Sequence, residues 1–559
     1  MDTQRLILFF IFSFSLLLLW DAWEKQGRPQ PVSAPAAQSV PAVPAVPTPT
    51  KPAAVPAAGD AQPAAVPAAV PAEAPAAKGE SLRVQTDLLI AEIDTLGATL
   101  SKVELRKHKQ ADDLAKNLVL LGPERQYFAQ SGLAGEAGPN HRTLWKAQPG
   151  ARELAAGDSR LEIRLSAEGA GGVNVEKVFV FTRDSYIVDV TLVIHNKGTA
   201  PLTPYAYFQL THNGKLEATG NSVAQSFGAQ SFAGFAEYTE AQKFQKIHFS
   251  DLDKGKAEYV RRAEDGWIAF VQHYFVAAWL PTVKAAREYV MERRQDGIYV
   301  GRIVMAAPEI APGAVARIGA PLYVGPQEQH RLRAAAPGFD LVVDYGWLTI
   351  IAWPLFWLLE KFHALSGNWG VAIILLTVTI KILFFPLSAA SYKSMAKMKL
   401  ITPRLTKLRE MYGEDRARMN QAMMELYKTE KINPLGGCFP ILVQIPVFIA
   451  LYWVLLAAIE LRHAPFILWI KDLAALDPYY VLPVLMTATM VLQTRMNPVP
   501  PDPVQAKVMK FMPFVFSVFF FFFPAGLVLY WLVNNILSIA QQWQIQRMFD
   551  RDKTAHARR

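Results

Sequence analysis

Hydrophobic residues are concentrated in one short run near the N-terminus and in several longer runs after residue 345. The first run, Leu6–Trp23, is apolar almost to its end and follows Arg5. This pattern is typical of a transmembrane helix or a signal peptide. Asp21, Glu24 and neighbouring bulky residues occupy the place where a cleaved signal peptide would carry small residues. We therefore interpret residues 1–25 as an uncleaved signal anchor.

The pattern changes twice before the next hydrophobic run. In the segment 29–78, 31 of 50 residues are alanine or proline, a composition that favours an extended spacer, so we interpret residues 26–80 as a linker. Residues 81–335 show alternating apolar positions and β-branched runs separated by Gly, Asn and Pro. These strand signals occur without helical periods between them, which predicts a large all-β antiparallel sandwich.

The apolar runs of the C-terminal half predict membrane helices. Residues 345–364 are rich in aromatics but carry Pro354, Glu360 and Lys361, which is typical of an interfacial amphipathic helix. We predict membrane spans at residues 367–387, 437–459, 479–496, 511–523 and 527–544. The last two come from one run of 31 residues, 511–541, that we divide at Pro524-Ala525-Gly526, because about 20 residues suffice to cross a bilayer.

The placement of charge predicts the topology. The segment 388–436 contains ten Lys/Arg and five Asp/Glu, and residues 546–559 form a basic tail. By the positive-inside rule, the hairpin 389–435 and the tail are cytoplasmic. With the N-terminus also inside and the β domain outside, an even number of crossings is needed. The sequence thus predicts six spans, five of them in a core at 367–545, both termini in the cytoplasm and a periplasmic domain.

The overall composition excludes several classes of protein. Apolar residues make up 52% and charged residues 19% of the 559 positions, which fits a membrane protein with a large polar domain. The net charge of +9 alone could indicate nucleic acid binding, but the basic residues adjoin the predicted spans. A single cysteine, Cys438, excludes an intrachain disulfide and a multi-cysteine metal site. Since the motifs of metalloproteases and nucleotide phosphate loops are also missing from the sequence, we expect no catalytic set, metal or cofactor.

Lys381 is the most informative polar residue, because it lies inside the apolar segment Ile373–Pro386. A charge at the centre of a lipid-facing helix costs about 2.5–3.5 kcal/mol, so Lys381 should face protein or water. Thr377 lies four residues earlier on the same helical face. The pattern predicts a hydrophilic groove that opens to the cytoplasm. The alternative is snorkelling, in which the lysine reaches the headgroups from near the helix end.

Other polar residues in the predicted spans could complete this groove. Gln444 lies in the third span, and Tyr530 and Asn534 are spaced i, i+4 in the last. The alternative is that such residues only join helices to one another. The predicted groove residues are Lys381, Thr377, Gln444, Tyr530, Trp531 and Asn534.

The cytoplasmic hairpin is predicted to contain two helices, the first interrupted at Pro403. In the second, Met419, Met423, Leu426 and Tyr427 fall on one face. Methionine is flexible and polarizable, so this face is suited to capturing varied apolar segments. A hairpin that merely lies on anionic lipid would show a similar pattern.

Four segments of the C-terminal half carry a further signal: Asn433–Phe448, Ala464–Leu473, Asp477–Pro483 and Phe523–Trp531. Through these segments, residues 340–545 strongly resemble the YidC/Oxa/Alb family of membrane protein insertases, in its Gram-negative form. The resemblance implies five core helices around a hydrophilic groove that is closed to the periplasm, and a β-supersandwich in the periplasm. The groove charge of the family is usually arginine. Lys381 at that position keeps the positive charge, but its ammonium lacks the planar hydrogen-bond donors with which an arginine guanidinium makes bidentate contacts.

The resemblance also implies a function without covalent chemistry. The expected protein inserts, folds and helps assemble integral membrane proteins of the bacterial inner membrane, alone or with the Sec translocon. Its expected partners are nascent membrane proteins, the Sec translocon, the ribosome at the basic hairpin and tail, and the lipid bilayer, with no small-molecule substrate. The alternatives are a secondary transporter whose β domain captures a ligand and an intramembrane enzyme. The first predicts internal repeats and the second a paired catalytic group, and the sequence shows neither.

Overall fold

The computed structural model describes residues 79–111, 113–135, 138–215, 232–412, 415–430, 439–497 and 503–557. The predicted signal anchor, nearly all of the predicted linker and Cys438 lie outside these residues. The described part forms a β domain followed by a bundle of helices.

The β domain contains eighteen strands within the described residues. In chain order, β1–β18 are Ser81–Gln85, Leu89–Asp94, Thr99–Lys109, Asn117–Leu121, Phe128–Leu133, Lys146–Ala147, Arg160–Glu168, Val173–Thr182, Ile187–Asn196, Tyr205–His212, Gly234–Thr239, Lys243–Ile247, Arg262–Ala263, Trp267–Val271, Phe275–Trp279, Arg287–Arg293, Tyr299–Ala306 and Val315–Pro326.

These strands form two nine-stranded sheets whose ladders are antiparallel. One sheet has the order β1-β2-β3-β5-β10-β17-β16-β13, with β4 paired to β3. The other has the order β12-β11-β14-β15-β18-β9-β8-β7-β6. The predicted antiparallel sandwich is confirmed.

Strand β7 shows how the sequence pattern produces this sandwich. Leu161, Ile163 and Leu165 are buried, whereas Glu162 and Arg164 between them are exposed. Successive side chains of a strand point to opposite faces, so this alternation places one face of β7 in the core.

Lys177 of β8 is an exception to the apolar core, because its side chain is fully buried between the sheets. Its ammonium donates hydrogen bonds to the carbonyl oxygens of Gly97 at 2.7 Å, Ala98 at 3.3 Å and Ser131 at 2.8 Å. It also lies 4.7 Å from the centre of the Trp145 ring. A strand of one sheet is thereby tied to backbone that belongs to the other.

Ten α-helices occur within the described residues. In chain order, α1–α10 are Phe249–Asp253, Gln329–Ala335, Thr349–Ser366, Trp369–Leu383, Phe385–Met411, Arg416–Thr429, Phe439–Ala457, Val481–Met496, Pro503–Phe520 and Ala525–Ala557.

Three helix boundaries differ clearly from the predicted spans. Helix α4 ends at Leu383, four residues before the end of the predicted span 367–387, and α5 begins at Phe385. Helix α9 begins at Pro503, eight residues before the predicted span 511–523. Its first turns carry Lys507 and Lys510 and precede the apolar run from which the span was predicted. Helix α10 begins at Ala525, at the predicted turn, and continues to Ala557 through the predicted tail.

Helix α5 runs through Pro403 without a break, so the predicted interruption there is wrong. Pro403 is exposed, and water can satisfy the carbonyl that loses its partner.

Among the described residues, no single helix is both long and apolar enough to cross a membrane alone. Helices α4 and α5 meet this condition only together, and they are bent by 65° at their junction. The apolar helices Val443–Ala457 and Val481–Met496 are shorter. The count of six spans and the five-helix core therefore stay a prediction.

Hydrogen bonds join the β domain to the end of α7 and to the loop that follows it. The Nε2 atom of His273 lies 3.1 Å from the carbonyl oxygen of Leu456 at the end of α7. The guanidinium of Arg462 donates to the carbonyl oxygen of Lys109 in β3 at 2.6 Å. These bonds fix the end of α7 against the sandwich.

Candidate functional site

Helix α10 lies at the centre of the bundle and packs against α4, α5, α7 and α8. Tyr530, Asn534 and Ser538 follow one another at intervals of four residues, with Gln541 one turn further on. This spacing places them on one face of the helix. The face presents a polar stripe to α4, α5 and α7.

Lys381, in the last turn of α4, points into this stripe. Its ammonium donates to Ser538 Oγ at 2.7 Å, and Ser538 donates in turn to the carbonyl oxygen of Asn534 at 2.8 Å. The hydroxyl of Tyr392 from α5 also lies beside Ser538. The lysine is therefore turned inward, toward α10.

Two amides extend the cluster on either side of Lys381. The side chain of Gln444 in α7 donates to the Asn534 side-chain oxygen at 2.9 Å. The side chain of Gln541 donates to the carbonyl oxygen of Lys381 at 3.4 Å. Lys381, Ser538, Asn534, Gln444, Gln541 and Tyr392 are called the polar cluster below. It joins α4, α5, α7 and α10.

The polar cluster carries a positive charge without a neutralising partner. Within the described residues, Lys381 forms no ion pair with a carboxylate, and its neighbours are neutral oxygen and nitrogen groups. A buried cation usually pairs with an anion because its desolvation is costly. The Lys381 ammonium is stabilised by hydrogen bonds alone, so an anion that enters the cluster could pair with it.

Three of the six predicted groove residues are buried in this structure. Thr377 is 1% exposed, Lys381 7% and Tyr530 1%. The Thr377 hydroxyl donates to the carbonyl oxygen of Ile373 in its own helix at 2.7 Å, and the Tyr530 hydroxyl has no hydrogen bond of normal geometry, although Gln444 lies near it. Gln444, Trp531 and Asn534 are half-buried, so the open hydrophilic groove stays a prediction.

Trp531 lies among aromatic rings. Its ring centre is 4.2 Å from that of Phe448 in α7 and 5.7 Å from that of Phe520 at the end of α9. It therefore borders the polar cluster on an apolar side.

The end of the bundle away from Lys381 is covered by the loop between α7 and α8, residues 458–480. Asn368, which caps α4, donates from its side chain to the carbonyl oxygen of Phe466 at 3.0 Å. The amide of Gly526 donates to the carbonyl oxygen of Leu473 at 2.8 Å. A Cβ atom at Gly526 would approach that oxygen to 3.1 Å, so the close contact explains the glycine in the Pro-Ala-Gly turn.

A buried aspartate holds the same loop in shape. The Asp477 carboxylate accepts hydrogen bonds from Trp469 Nε1 at 3.0 Å, from the Tyr479 amide at 3.1 Å and from the Leu482 amide at 2.7 Å. This gives a physical reason for the Asp-Pro-Tyr-Tyr segment, since Asp477 joins the loop to the first turn of α8.

The predicted capture face of the hairpin is largely used by the hairpin itself. Met423, Leu426 and Tyr427 of α6 pack against the buried Ile401 and Leu405 of α5. The face is therefore not free as expected, because two amphipathic helices bury their apolar sides against each other. Met419 is half-buried. The exposed apolar side chains of the hairpin are instead Leu400, Met411 and Met424.

Sequence reasoning missed Ser538, Gln541 and Tyr392 in the polar cluster. The first two could have been found by continuing the four-residue spacing from Tyr530 and Asn534 along the helix. Tyr392 gave no such signal, because its position depends on the bend between α4 and α5.

Two family models match the chain in adjoining parts. Residues 81–358 match the YidC periplasmic domain, and residues 361–553 match the 60Kd inner membrane protein. Together they cover the β domain and the helix bundle.

Relatives match along nearly the whole chain. The membrane protein insertase YidC of Nitrosospira multiformis is 52% identical over 561 aligned residues, which cover 98% of each chain. The protein of the same name from Aromatoleum aromaticum is 51% identical and covers 99% of each chain. Among solved structures, an active YidC insertase with its first transmembrane domain resolved matches with a TM-score of 0.36 and 15% identity, covering 83% of this chain and 94% of that one.

Proposed function

Because the chain belongs to the YidC family of membrane protein insertases, we propose that its polar cluster receives the hydrophilic flank of an inserting segment. The chain is an inner membrane protein with a periplasmic β domain, and its clients are membrane proteins. The relatives carry the name insertase, so the alternative of a secondary transporter has no support.

The observation that carries the proposal is the charge of Lys381 inside the bundle. It lacks a carboxylate partner within the described residues and is held by the Ser538 hydroxyl. An acidic flank that leaves water would replace its hydrogen bonds to water by bonds to the Lys381 ammonium and to the side-chain amides of Gln444 and Gln541. Such an exchange lowers the cost of moving a polar segment into hydrocarbon.

The apolar part of a client follows a different path. We propose that it passes along α7 and α9 into lipid, driven by removal of its apolar surface from water. The apolar stretch of α9 from Phe511 to Phe520 is short. A short stretch favours a locally thinned bilayer, which lowers the barrier further.

Access to the buried Lys381 requires movement of a helix. Helix α5 contributes Tyr392 beside Ser538 and begins directly after the bend that follows Lys381. We propose that displacement of α5 with the hairpin uncovers the cluster on the cytoplasmic side. The loop 458–480 keeps the other end closed.

The topology and the remaining partners belong to the same proposal. Six spans with both termini in the cytoplasm would place the basic hairpin and tail where the ribosome and anionic headgroups are found. Cooperation with the Sec translocon follows from the family resemblance.

The role of Lys381 is tested by comparing Lys381→Ala with Lys381→Arg in reconstituted insertion of clients that differ only in the charge of the translocated flank. Lys381→Ala should lower insertion of the acidic client by about tenfold, equivalent to about 1.4 kcal/mol, and affect the neutral client less. Lys381→Arg should insert both, because the charge is kept.

Lys399→Ala is the matched control, because Lys399 is an exposed lysine of α5. It should insert both clients like the parent. Equal losses for Lys381→Ala and Lys381→Arg would show that shape, not charge, is the property that matters.

A further inference from the structure

Helices α8 and α9 enclose an open cleft of about 590 Å³ on the outside of the bundle. Val484, Ala488 and Leu492 line it from α8, Phe514 lines it from α9, and Phe521 lines it from the turn directly after α9. The cleft does not include the polar cluster. Its walls are apolar, and they run along the two helices.

The cleft faces away from the centre of the bundle. On α8, Thr489 accepts a hydrogen bond from the Asn535 side chain of α10 at 2.9 Å, whereas the neighbouring Ala488 lines the cleft. Helix α10 and this cleft therefore lie on different sides of α8.

One end of the cleft is positively charged. Arg495, in the last turn of α8, lines the cleft together with Phe514. Lys510 lies four residues before Phe514 on the same face of α9, and Lys507 lies three residues before Lys510. All three cations therefore lie at the end where α8 leads into α9.

These cations lack anionic partners in the part of the chain that the structure describes. Arg495, Lys507 and Lys510 are exposed there, and none of them forms an ion pair. The only acidic residue in the sequence between Arg495 and Arg547 is Asp502, which lies outside the described residues.

We propose that the cleft between α8 and α9 binds an anionic phospholipid, with its phosphate at Arg495, Lys507 and Lys510 and an acyl chain along the apolar walls. Apolar contact alone does not favour one lipid or protein segment over another in a bilayer, since lipid tails are as apolar as the protein surface. Basic residues between membrane helices do select anionic headgroups. A partner helix in the cleft would leave the three cations without an anion, whereas an anionic lipid supplies charge and chain together.

Native mass spectrometry of the purified full chain, with dioleoylphosphatidylglycerol or dioleoylphosphatidylcholine added, tests the site. The parent should retain phosphatidylglycerol in preference to phosphatidylcholine. The double variant Arg495→Gln, Lys510→Gln should weaken this retention by about fivefold for each charge removed. The charge-preserving pair Arg495→Lys, Lys510→Arg should retain it.

Two further variants separate the site from general attraction. Lys471→Gln removes an exposed lysine from the loop 458–480 at the other end of the bundle and should leave retention unchanged. Ala488→Phe fills the cleft without changing charge and should reduce retention, whereas Ile536→Phe on the exposed side of α10 should not.

The proposal is overturned if the parent retains both lipids equally, or if the double glutamine variant retains phosphatidylglycerol like the parent. It is also overturned if a photoreactive residue at Leu492 in vesicles containing phosphatidylglycerol yields adducts with a protein segment and none with lipid.

Discussion

Lys177 and Lys381 are both buried lysines, but their surroundings give them different roles. Lys177 donates to three backbone carbonyl oxygens that are fixed by the sheets, so its partners cannot be exchanged. Lys381 donates to one serine hydroxyl, and the groups around it are side chains. The first arrangement stabilises a fold, whereas the second leaves a cation that an incoming group can bind.

The two lysines also differ in how far the sequence predicted them. An isolated charge in the apolar segment Ile373–Pro386 made Lys381 conspicuous. Lys177 lies in a strand with ordinary alternation, and its partners are backbone atoms of residues 46 to 80 positions away. The spacing of side chains along the sequence does not indicate hydrogen bonds to distant backbone carbonyls. The burial of Lys177 was therefore not predicted.

Lys177→Met should destabilise the β domain by about 2 kcal/mol, because carbonyl groups of Gly97 and Ser131 lose their donor in a buried place. Burial lowers the pKa of Lys177 from 10.5 to about 7. The unfolded chain then binds more protons than the folded chain between pH 7 and 10.5, so this lysine makes the parent more stable as the pH rises through that range.

Thermal unfolding of the full chain from pH 7 to pH 10 measures both effects. The deficit of Lys177→Met relative to the parent should grow with pH. Lys146→Met, at an exposed lysine of β6 in the same sheet, should match the parent within about 0.5 kcal/mol. If Lys177→Met has the parent's stability and pH slope, Lys177 does not tie the sheets together.

Individual elements were predicted well where one property of the sequence determines them. Alternation predicted the strands of the sandwich, and Pro524-Ala525-Gly526 predicted the break between α9 and α10. The orientation of the hairpin helices was not predictable, because an amphipathic pattern does not say what covers the apolar face. In the structure, α5 covers Met423, Leu426 and Tyr427 of α6.

Met423→Ser should loosen the hairpin by about 1 kcal/mol, because Met423 packs against the α5 residues Ile401 and Leu405. Hydrogen exchange across residues 416–429 in the full chain measures this effect and should be faster in the variant. Met424→Ser is the matched control, since the adjacent Met424 is 57% exposed. Equal exchange in the two variants would contradict the packing of α6 on α5.

The break between α9 and α10 can be tested by cysteine labelling in a Cys438→Ser background. An impermeant reagent added on the periplasmic side should label Leu468→Cys, in the exposed part of the loop 458–480, and should not label Met548→Cys, near the end of α10. Position 525 is unsuitable, because Ala525 is fully buried. Periplasmic labelling of Met548→Cys would contradict the six-span topology.

At the scale of the whole molecule, the bundle is fixed at one end and depends on α5 at the other. The loop 458–480 is bonded to the starts of α4, α8 and α10, and its Arg462 is bonded to the β domain. At the Lys381 end, by contrast, α4 and α5 meet at a 65° bend. This asymmetry favours opening of the polar cluster toward the hairpin, away from the sandwich.

The sequence indicates the residues of this site but does not determine its state. Lys381, Gln444 and Asn534 do lie in one cluster, because intramembrane polar groups contact one another. Whether such a cluster is open or closed depends on small movements of whole helices, which the residue pattern does not determine.

The most direct test of the account is photocrosslinking to a ribosome-bound nascent chain of a simple client with an acidic flank, in membranes containing the full-length protein. A benzoylphenylalanine replacing Tyr530 in the polar stripe should give adducts with the nascent chain, and adding Lys381→Ala should reduce them severalfold. The same photoreactive residue at Ile536, which is 48% exposed on the same helix, should give fewer adducts and should not respond to Lys381→Ala. Equal adducts from both positions, or adducts from position 530 that are unchanged by Lys381→Ala, would contradict the claim that the polar cluster receives the client.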